Sequence, residues 1–331
     1  MFDVLLKCGY AVTVLMLDPQ DETKGDTESF EDVIEMLLEA VKKNLLMLLC
    51  CRHCRKGCGC SGYTFHDERK IMSESPFALN QAGPVLEITL SKGKANAISA
   101  EDSRKLNRLW EKFRDDPEMR FSILTGKGEK FFSAGWDLKN VADTGEESDS
   151  DYGAGGFGGL NYPRNFNKPV ICAVNGIACG GGFEIVLGCD IIVAEEHATF
   201  ALPEINVGVL PDCGVVKLRR RVPYHVAVEM MMTGRWMDTE EAKHWGLVNQ
   251  IVPKGQGLTK AREIVEQLAA GPPLLYPAIK QVLRMTEMVP ENEAFAVHDA
   301  CSTVETVNRS EDMKEGAKAF AEKREPVWKG K

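Results

Sequence analysis

The sequence has no long run of lysine or arginine, and its formal net charge is −9. A surface built to hold nucleic-acid phosphates is therefore not advertised, and any positive charge that meets an anionic ligand must be local. Long apolar runs are missing as well. Leu45 to Cys51 (LLMLLCC) falls far short of the roughly 20 residues needed to span a bilayer. The opening MFDVLLKCGY has no basic start followed by an apolar stretch and a small-residue cleavage site. No secretory signal is read there, and a reducing, cytoplasmic location with neither membrane nor nucleic-acid partners is expected. What is present is ample apolar material. The 331 residues are 44 % hydrophobic and 27 % charged, enough for one large domain or two modest ones.

Cysteine use divides the chain. Six of the eleven cysteines (Cys8, Cys50, Cys51, Cys54, Cys58 and Cys60) lie in the first sixty residues. That segment also holds a possible strand, Val12 to Asp18. An amphipathic stretch follows in which Phe30, Val33, Ile34, Leu37, Leu38 and Val41 recur at helical spacing. Cys51 and Cys54 form a C-x-x-C beside His53 and Cys58, but a zinc site wants a second ligand pair well downstream, and only Cys60 and His66 are on offer. No metal site is assigned. Residues 1–71 read as an extension of uncertain order and function, with Met72 a plausible alternative start.

From Met72 the pattern alternates between strand and helix. VLEITL (Val85 to Leu90), FSILTG (Phe121 to Gly126) and KPVICAVNG (Lys168 to Gly176) read as strands, the last apolar throughout as in a strand buried on both faces. Ser99 and Asp102 have capping-box spacing at the start of a helix, and IIVAEE and TFALPE read as short strands. Beyond Pro211 the chain is almost wholly helical. Met230, Met231 and Met232 there read as core filler. This is an α/β body with a helical tail. GAGGFG (Gly153 to Gly158) matches a dinucleotide fingerprint literally, yet it follows an acidic loop rather than a strand and opens no clear helix. It is rejected as such, and Glu146 to Gly159 is expected to form a mobile surface or lid loop.

The chemistry concentrates in GGGFEIVLGCDIIVAEEHATFALPE (Gly180 to Glu204). Three glycines there join a buried strand to an apolar helix, and glycine lets backbone approach a ligand closely. FFSAGWDL (Phe131 to Leu138) makes a second small-residue turn, and two such turns can aim one N–H each at the same oxygen. Glu184 and Glu204 sit in apolar company, where an unpaired carboxylate is costly. Such a setting raises a carboxyl pKa toward the working range of an acid–base catalyst.

These pieces occur in an order that resembles the crotonase, or enoyl-CoA hydratase/isomerase, family: KANAI (Lys94 to Ile98), FFSAGWDL, AVNGIACGGGFE, CDIIVA, FALPEINVGVLPD and GLVNQIV, then a helical tail. The resemblance covers residues 72–331. It implies a ββα spiral over about 72–265 and a C-terminal helical oligomerisation region over about 266–331, assembled as a homotrimer or homohexamer. It also implies a coenzyme A thioester as substrate and no separate cofactor. By the same likeness, the N–H groups of Ala134 and Gly181 form the oxyanion hole, Glu184 and Glu204 are the catalytic pair, and Lys94, Ala95, Ala97, Gly135, Trp136, Asp137 and Phe157 line the substrate site. One departure stands out: the family pattern has two adjacent glycines after PD and a small residue, whereas here Val215 follows Gly214.

Within the family, stretches such as GEKFFSAGWDLK, GGFGGL and FAEKREPVWKGK are most similar to members that reversibly hydrate crotonobetainyl-CoA to L-carnitinyl-CoA. A trimethylammonium group has no N–H to donate, so aromatic faces or a carboxylate must recognise it. Trp136, Phe157 and Asp212 are the candidates. A general short-chain enoyl-CoA hydratase is the alternative. A non-catalytic, RNA-binding relative is a third reading, disfavoured by the negative charge and the intact glutamate pair.

Overall fold

The computed structural model describes residues 75–145, 150–162 and 165–331. The amino-terminal strand and helix expectations, and the Cys51–His66 cluster, lie outside the described residues. The described part opens with a hairpin of β1 (Phe77–Ala82) and β2 (Val85–Leu90), paired from Phe77↔Leu90 to Ala82↔Val85. Leu86, Ile88 and Leu90 alternate inward along β2, as a half-covered strand requires. Helix α1 (Ala100–Asp115) starts at the predicted capping box: Ser99 Oγ accepts from the Asp102 N–H at 3.3 Å, and Asp102 Oδ2 accepts from the Ser99 N–H at 3.1 Å. Strand β3 (Phe121–Gly126) is buried at all six positions.

The chain then steps repeatedly between two sheets. From β3 it passes to β4 (Phe131–Ser133) and α2 (Leu138–Thr144), then through β5 (Val170–Val174) and β6 (Ile177–Cys179) to α3 (Gly181–Leu187). Strands β7 (Ile191–Glu195) and β8 (Thr199–Ala201) lead to a 3₁₀ turn at Glu204–Val207, then α4 (Gly214–Lys217) and α5 (Tyr224–Thr233). After β9 (Met237–Asp238), α6 (Thr239–His244) and β10 (Gln250–Val252) comes α7 (Gly257–Ala269). The tail is α8 (Leu275–Thr286), α9 (Glu291–Asp299), α10 (Ser302–Asn308) and α11 (Glu311–Glu322). The larger sheet has the order β1-β2-β3-β5-β7-β10 and the smaller β4-β6-β8-β9. After the β1–β2 hairpin, successive strand pairs thus contribute one strand to each sheet, which is the ββα spiral that the sequence implied.

Period-two alternation assigns the two faces of the larger sheet. Phe121, Ile123, Ile171 and Ala173 pack with Ala261 and Val265 of α7. Leu124, Cys172 and Val174 face the main core with Trp110, Phe132, Phe183 and Phe200. Of the three consecutive methionines, Met230 alone is fully buried, and Met232 is 71 % exposed, which corrects the reading of all three as core.

Of the segment from Glu146 to Gly159, expected to form a mobile surface or lid loop, residues 146–149 lie outside the described residues. Over Tyr152–Gly159 it is pinned to α1. Asn107 Nδ2 donates to the carbonyls of Tyr152 (2.7 Å) and Gly156 (3.0 Å), while Asn107 Oδ1 accepts from the Gly155 N–H at 2.6 Å. Ser103 Oγ accepts from the Gly158 N–H, and Trp110 Nε1 donates to the Gly158 carbonyl, both at 3.0 Å. Side chains at Gly153, Gly155 and Gly159 would collide with Asn107, the Gly159 carbonyl and Trp110, so the glycines permit close docking. Replacing Asn107 by Ala leaves several buried backbone groups unpaired, and a loss of about 2 kcal/mol in denaturant unfolding is expected.

Candidate active site

Three parallel strands of the smaller sheet converge on one point. β4 pairs with β6 (Phe131↔Ile177) and β6 with β8 (Cys179↔Ala201). Their carboxyl ends therefore lie side by side, and each delivers one part of the site: Ala134–Trp136 after β4, Gly180–Glu184 after β6, and Glu204 shortly after β8. The Gly180 N–H donates to the Ala201 carbonyl at 2.9 Å, continuing the β6–β8 pairing to the last residue before α3.

The two turns touch through their glycines. Gly135 has φ +81°, and a Cβ there would stand 2.6 Å from the Gly181 nitrogen. A Cβ on Gly182 would stand 2.3 Å from the Ser133 carbonyl oxygen, and one on Gly181 2.4 Å from the Phe157 ring. No side chain fits at these positions, and the fully enclosed Phe157 ring forms a wall beside Gly181. As the first residue of α3, Gly181 has its N–H outside the helix's own hydrogen-bond ladder.

The donor from the other turn is not the one expected. The Ala134 N–H donates to the Ala95 carbonyl at 2.9 Å, so it is spent inside the protein. The Gly135 N–H donates to Ser133 Oγ at 3.1 Å. Residues 134–137 run beside 95–98, with the Ile98 N–H on the Gly135 carbonyl and the Asp137 N–H on the Ile98 carbonyl. Successive N–H groups of an extended chain point to opposite sides, so the Trp136 N–H is directed away from Ile98.

Glu184 is 3 % exposed, and its Oε1 accepts from the Gly214 N–H at 2.8 Å. Burial pushes its carboxyl up to about 8; the Gly214 bond opposes the rise and the charge of Glu204 adds to it. Glu204 Oε1 lies 3.2 Å from the place of a Gly180 Cβ, one helical turn from Glu184, and its buried Oε2 meets no protein donor. Burial pushes the Glu204 carboxyl up to about 7, with its own backbone N–H acting against the rise. Helix α4 begins at Gly214 even though Val215 follows it. A Cβ on Gly214 would meet Leu202 Cδ1 at 2.7 Å, so a single glycine meets the steric demand here.

The remaining candidates divide. Trp136 is half-buried against the main core. Lys94 is exposed, with no ion-pair or hydrogen-bond partner among the described residues. Ala95 serves the turn through its carbonyl, and Ala97 is half-buried beside it. Asp137 caps α2 by accepting from the Asn140 N–H at 3.2 Å, and its carboxylate lies 3.4 Å from Lys92 Nζ, which also pairs with Asp102. Asp212 is exposed, and its Oδ1 accepts from the Tyr162 hydroxyl at 2.6 Å. Tyr162 was not singled out from the sequence, nor was Asn96, whose buried amide donates to the Lys127, Phe131 and Phe132 carbonyls and fixes the 94–98 turn at φ +50°. A polar residue within a motif rich in small residues was the signal available for Asn96.

Against known proteins, the enoyl-CoA hydratase/isomerase family matches residues 80–331. The chain belongs to the enoyl-CoA hydratase/isomerase family. It is a hydro-lyase of the enoyl-CoA type. Over 263 residues it is 49 % identical to the carnitinyl-CoA dehydratases of Citrobacter koseri and Salmonella enteritidis, a match covering 78 % of this chain and 100 % of each relative. Among solved structures it resembles an enoyl-CoA hydratase from Mycobacterium tuberculosis at TM-score 0.71, 35 % identity and coverage of 78 % and 100 %. An enoyl-CoA hydratase from Bacillus anthracis matches at TM-score 0.71, 32 % identity and coverage of 77 % and 100 %. Among the described residues, no helix is long and apolar enough to cross a membrane, and no cluster of three His, Cys, Asp or Glu side chains is placed to hold a metal ion.

A carboxyl whose pKa is raised on folding binds its proton more tightly in the native state. Its contribution is full below about pH 4.5 and is lost as pH rises through about 8 for Glu184. Glu184→Gln is therefore expected to raise Tm by several degrees at pH 9 relative to the parent, and by much less at pH 5, in paired thermal melts.

Proposed function

We propose that the chain reversibly hydrates an enoyl-CoA thioester, crotonobetainyl-CoA to L-carnitinyl-CoA in particular, with Glu184 and Glu204 as its acid–base pair. The observation carrying this reading is the pair of carboxyls near adjacent strand ends, Glu184 buried and Glu204 half-buried, with pKa values raised to about 8 and 7. In hydration, a water oxygen bonds to the β-carbon and loses a proton to the ionised carboxyl. The protonated carboxyl gives its proton to the α-carbon. Negative charge gathers meanwhile on the thioester oxygen, where the N–H groups of Gly181 and Trp136 receive it. The elements of water are added and the proton count of the pair is restored. The carboxyl pair and oxyanion hole supply the chemistry, with no cofactor beyond the coenzyme A ester.

The choice of acyl group rests on the 49 % identity to carnitinyl-CoA dehydratases along their whole length. The Tyr162–Asp212 pair supports it, for it sets an aromatic ring beside a carboxylate near Glu184, whose pKa the Asp212 charge helps to raise. A trimethylammonium group is attracted to both. Trp136 and Phe157 supply further apolar wall, and exposed Lys94 is free to meet a coenzyme A phosphate. The exposed tail side chains Met288, Phe295 and Phe320 support packing against neighbouring subunits in a trimer or hexamer. The solved relatives titled enoyl-CoA hydratase keep a second reading open, in which crotonyl-CoA is the better substrate.

Glu184→Gln and Glu204→Gln are each expected to lower kcat by about 10²- to 10⁴-fold with little change in KM. The pair works with one proton on it, so kcat/KM should fall both below about pH 7 and above about pH 8, and each Gln variant should lose the bell shape. Asp212→Asn is expected to raise KM for crotonobetainyl-CoA about tenfold while leaving KM for crotonyl-CoA little changed. Equal turnover of the two substrates by the parent enzyme would favour the second reading.

A further inference from the structure

Most of the unmet buried polar groups lie away from the catalytic pair. Among the described residues, six buried side-chain nitrogen or oxygen atoms have no hydrogen-bond partner, and four of them belong to Asn161, Arg220 and Arg284. All three residues line one cavity of about 930 Å³, between the carboxyl end of α3, the turn after α4, and α8. Neither Glu184, Glu204 nor Gly181 lines it, although Tyr162 borders both this cavity and the proposed acyl site. Asn161 is only 2 % exposed, yet both Nδ2 and Oδ1 of its amide are unpaired. Burying such groups without partners is costly, and native proteins satisfy the great majority of them.

The cavity is amphipathic. Its two acidic residues are already matched, Asp190 with Lys280 at 2.7 Å and Glu287 with Arg221 at 3.2 Å. That leaves Lys217, Arg220 and Arg284 without an acidic partner. The Lys217 ammonium donates only to the Leu160 carbonyl at 2.9 Å, and Arg284 reaches Asn167 Oδ1 at 3.3 Å. Leu187, Ile191 and the exposed side chains of Ile279 and Leu283 line the same cavity. A guanidinium pair is suited to a planar carboxylate, and the amide of Asn161 can both donate and accept. The volume is that of a small-molecule site rather than of a single bound ion.

We propose that this cavity is a second ligand site, which takes an organic anion with an apolar body, a medium-chain carboxylate being the simplest. The carboxylate meets Arg220 and Arg284, and the hydrocarbon lies along Leu187, Ile191, Ile279 and Leu283. Calorimetric titration of the full chain with octanoate tests this, in the presence of saturating butyryl-CoA, which fills the thioester site and has no double bond to hydrate. One octanoate per chain should still bind. Arg220→Gln and Arg284→Gln, made singly, should each weaken it about tenfold while turnover of crotonyl-CoA is retained. Octyltrimethylammonium should bind far more weakly, and so should inorganic phosphate, which lacks the apolar body. The proposal is overturned if octanoate fails to bind, if butyryl-CoA displaces it, or if both arginine variants bind it as the parent does. Binding of phosphate or of the cationic amphiphile as tight as that of octanoate overturns it equally, and the competition arm needs no variant to fold.

Discussion

Parallel pairing of β4, β6 and β8 is the constraint on which the rest of the site depends. Each strand is only three residues long, and none is stable by itself. Their registers bring three segments distant in sequence to a common edge, where Gly135, Gly181 and Glu204 emerge as neighbours. The larger sheet holds this arrangement in place. β3, β5 and β7 pair in parallel behind it, and each passes directly into a strand of the smaller sheet. A one-residue slip in β6 would turn Gly181 away from Gly135 and carry Glu184 out of reach of Gly214.

Glycine and burial do complementary work at that edge. The turns approach so closely that a methyl group on Gly135 or Gly182 would lie within 2.6 Å of a backbone atom. Close approach keeps water out, and the same exclusion raises both carboxyl pKa values. Glu184 retains one backbone donor, from Gly214, whereas the buried Oε2 of Glu204 has no protein partner. Native proteins rarely leave a buried oxygen unsatisfied without a functional reason. In the function proposed above, the unmet oxygen has such a reason: a water between the two glutamates would meet both the base and the acid that hydration needs.

The fold was largely legible in the sequence because its signals are local. The capping box at Ser99 and Asp102, the all-apolar Val170–Val174 and the alternating Leu86, Ile88 and Leu90 each report their own surroundings. Glu184 was legible for the same reason, as a carboxylate in a segment buried at every position, whereas Glu204 is followed by the exposed Ile205 and Val207 and its flanks were a poorer guide. The errors concern partners far away along the chain. Whether Ala134 or Trp136 presents its N–H to the site depends on pairing with Ala95 and Ile98, which no short motif encodes. Tyr152–Gly159 looks like a loose loop until Ser103, Asn107 and Trp110 of α1 are seen to hold it. The Asp137 helix cap and its contact with Lys92 were likewise not read from the sequence. Tyr162 and the Asn161 cavity carry no motif at all.

The central claim is that the two glutamates titrate as one buried pair near neutral pH. Carbon-13 NMR of glutamate side-chain carboxyls, followed from pH 4 to 10, tests it most directly. The account predicts two carboxyl titrations with apparent midpoints near 7 and 8, one disappearing in Glu184→Gln and the other in Glu204→Gln, the survivor moving in each case because the two are coupled. If both carboxyls instead titrate near the ordinary glutamate value of about 4.3, the pair is solvated and the account of the site fails.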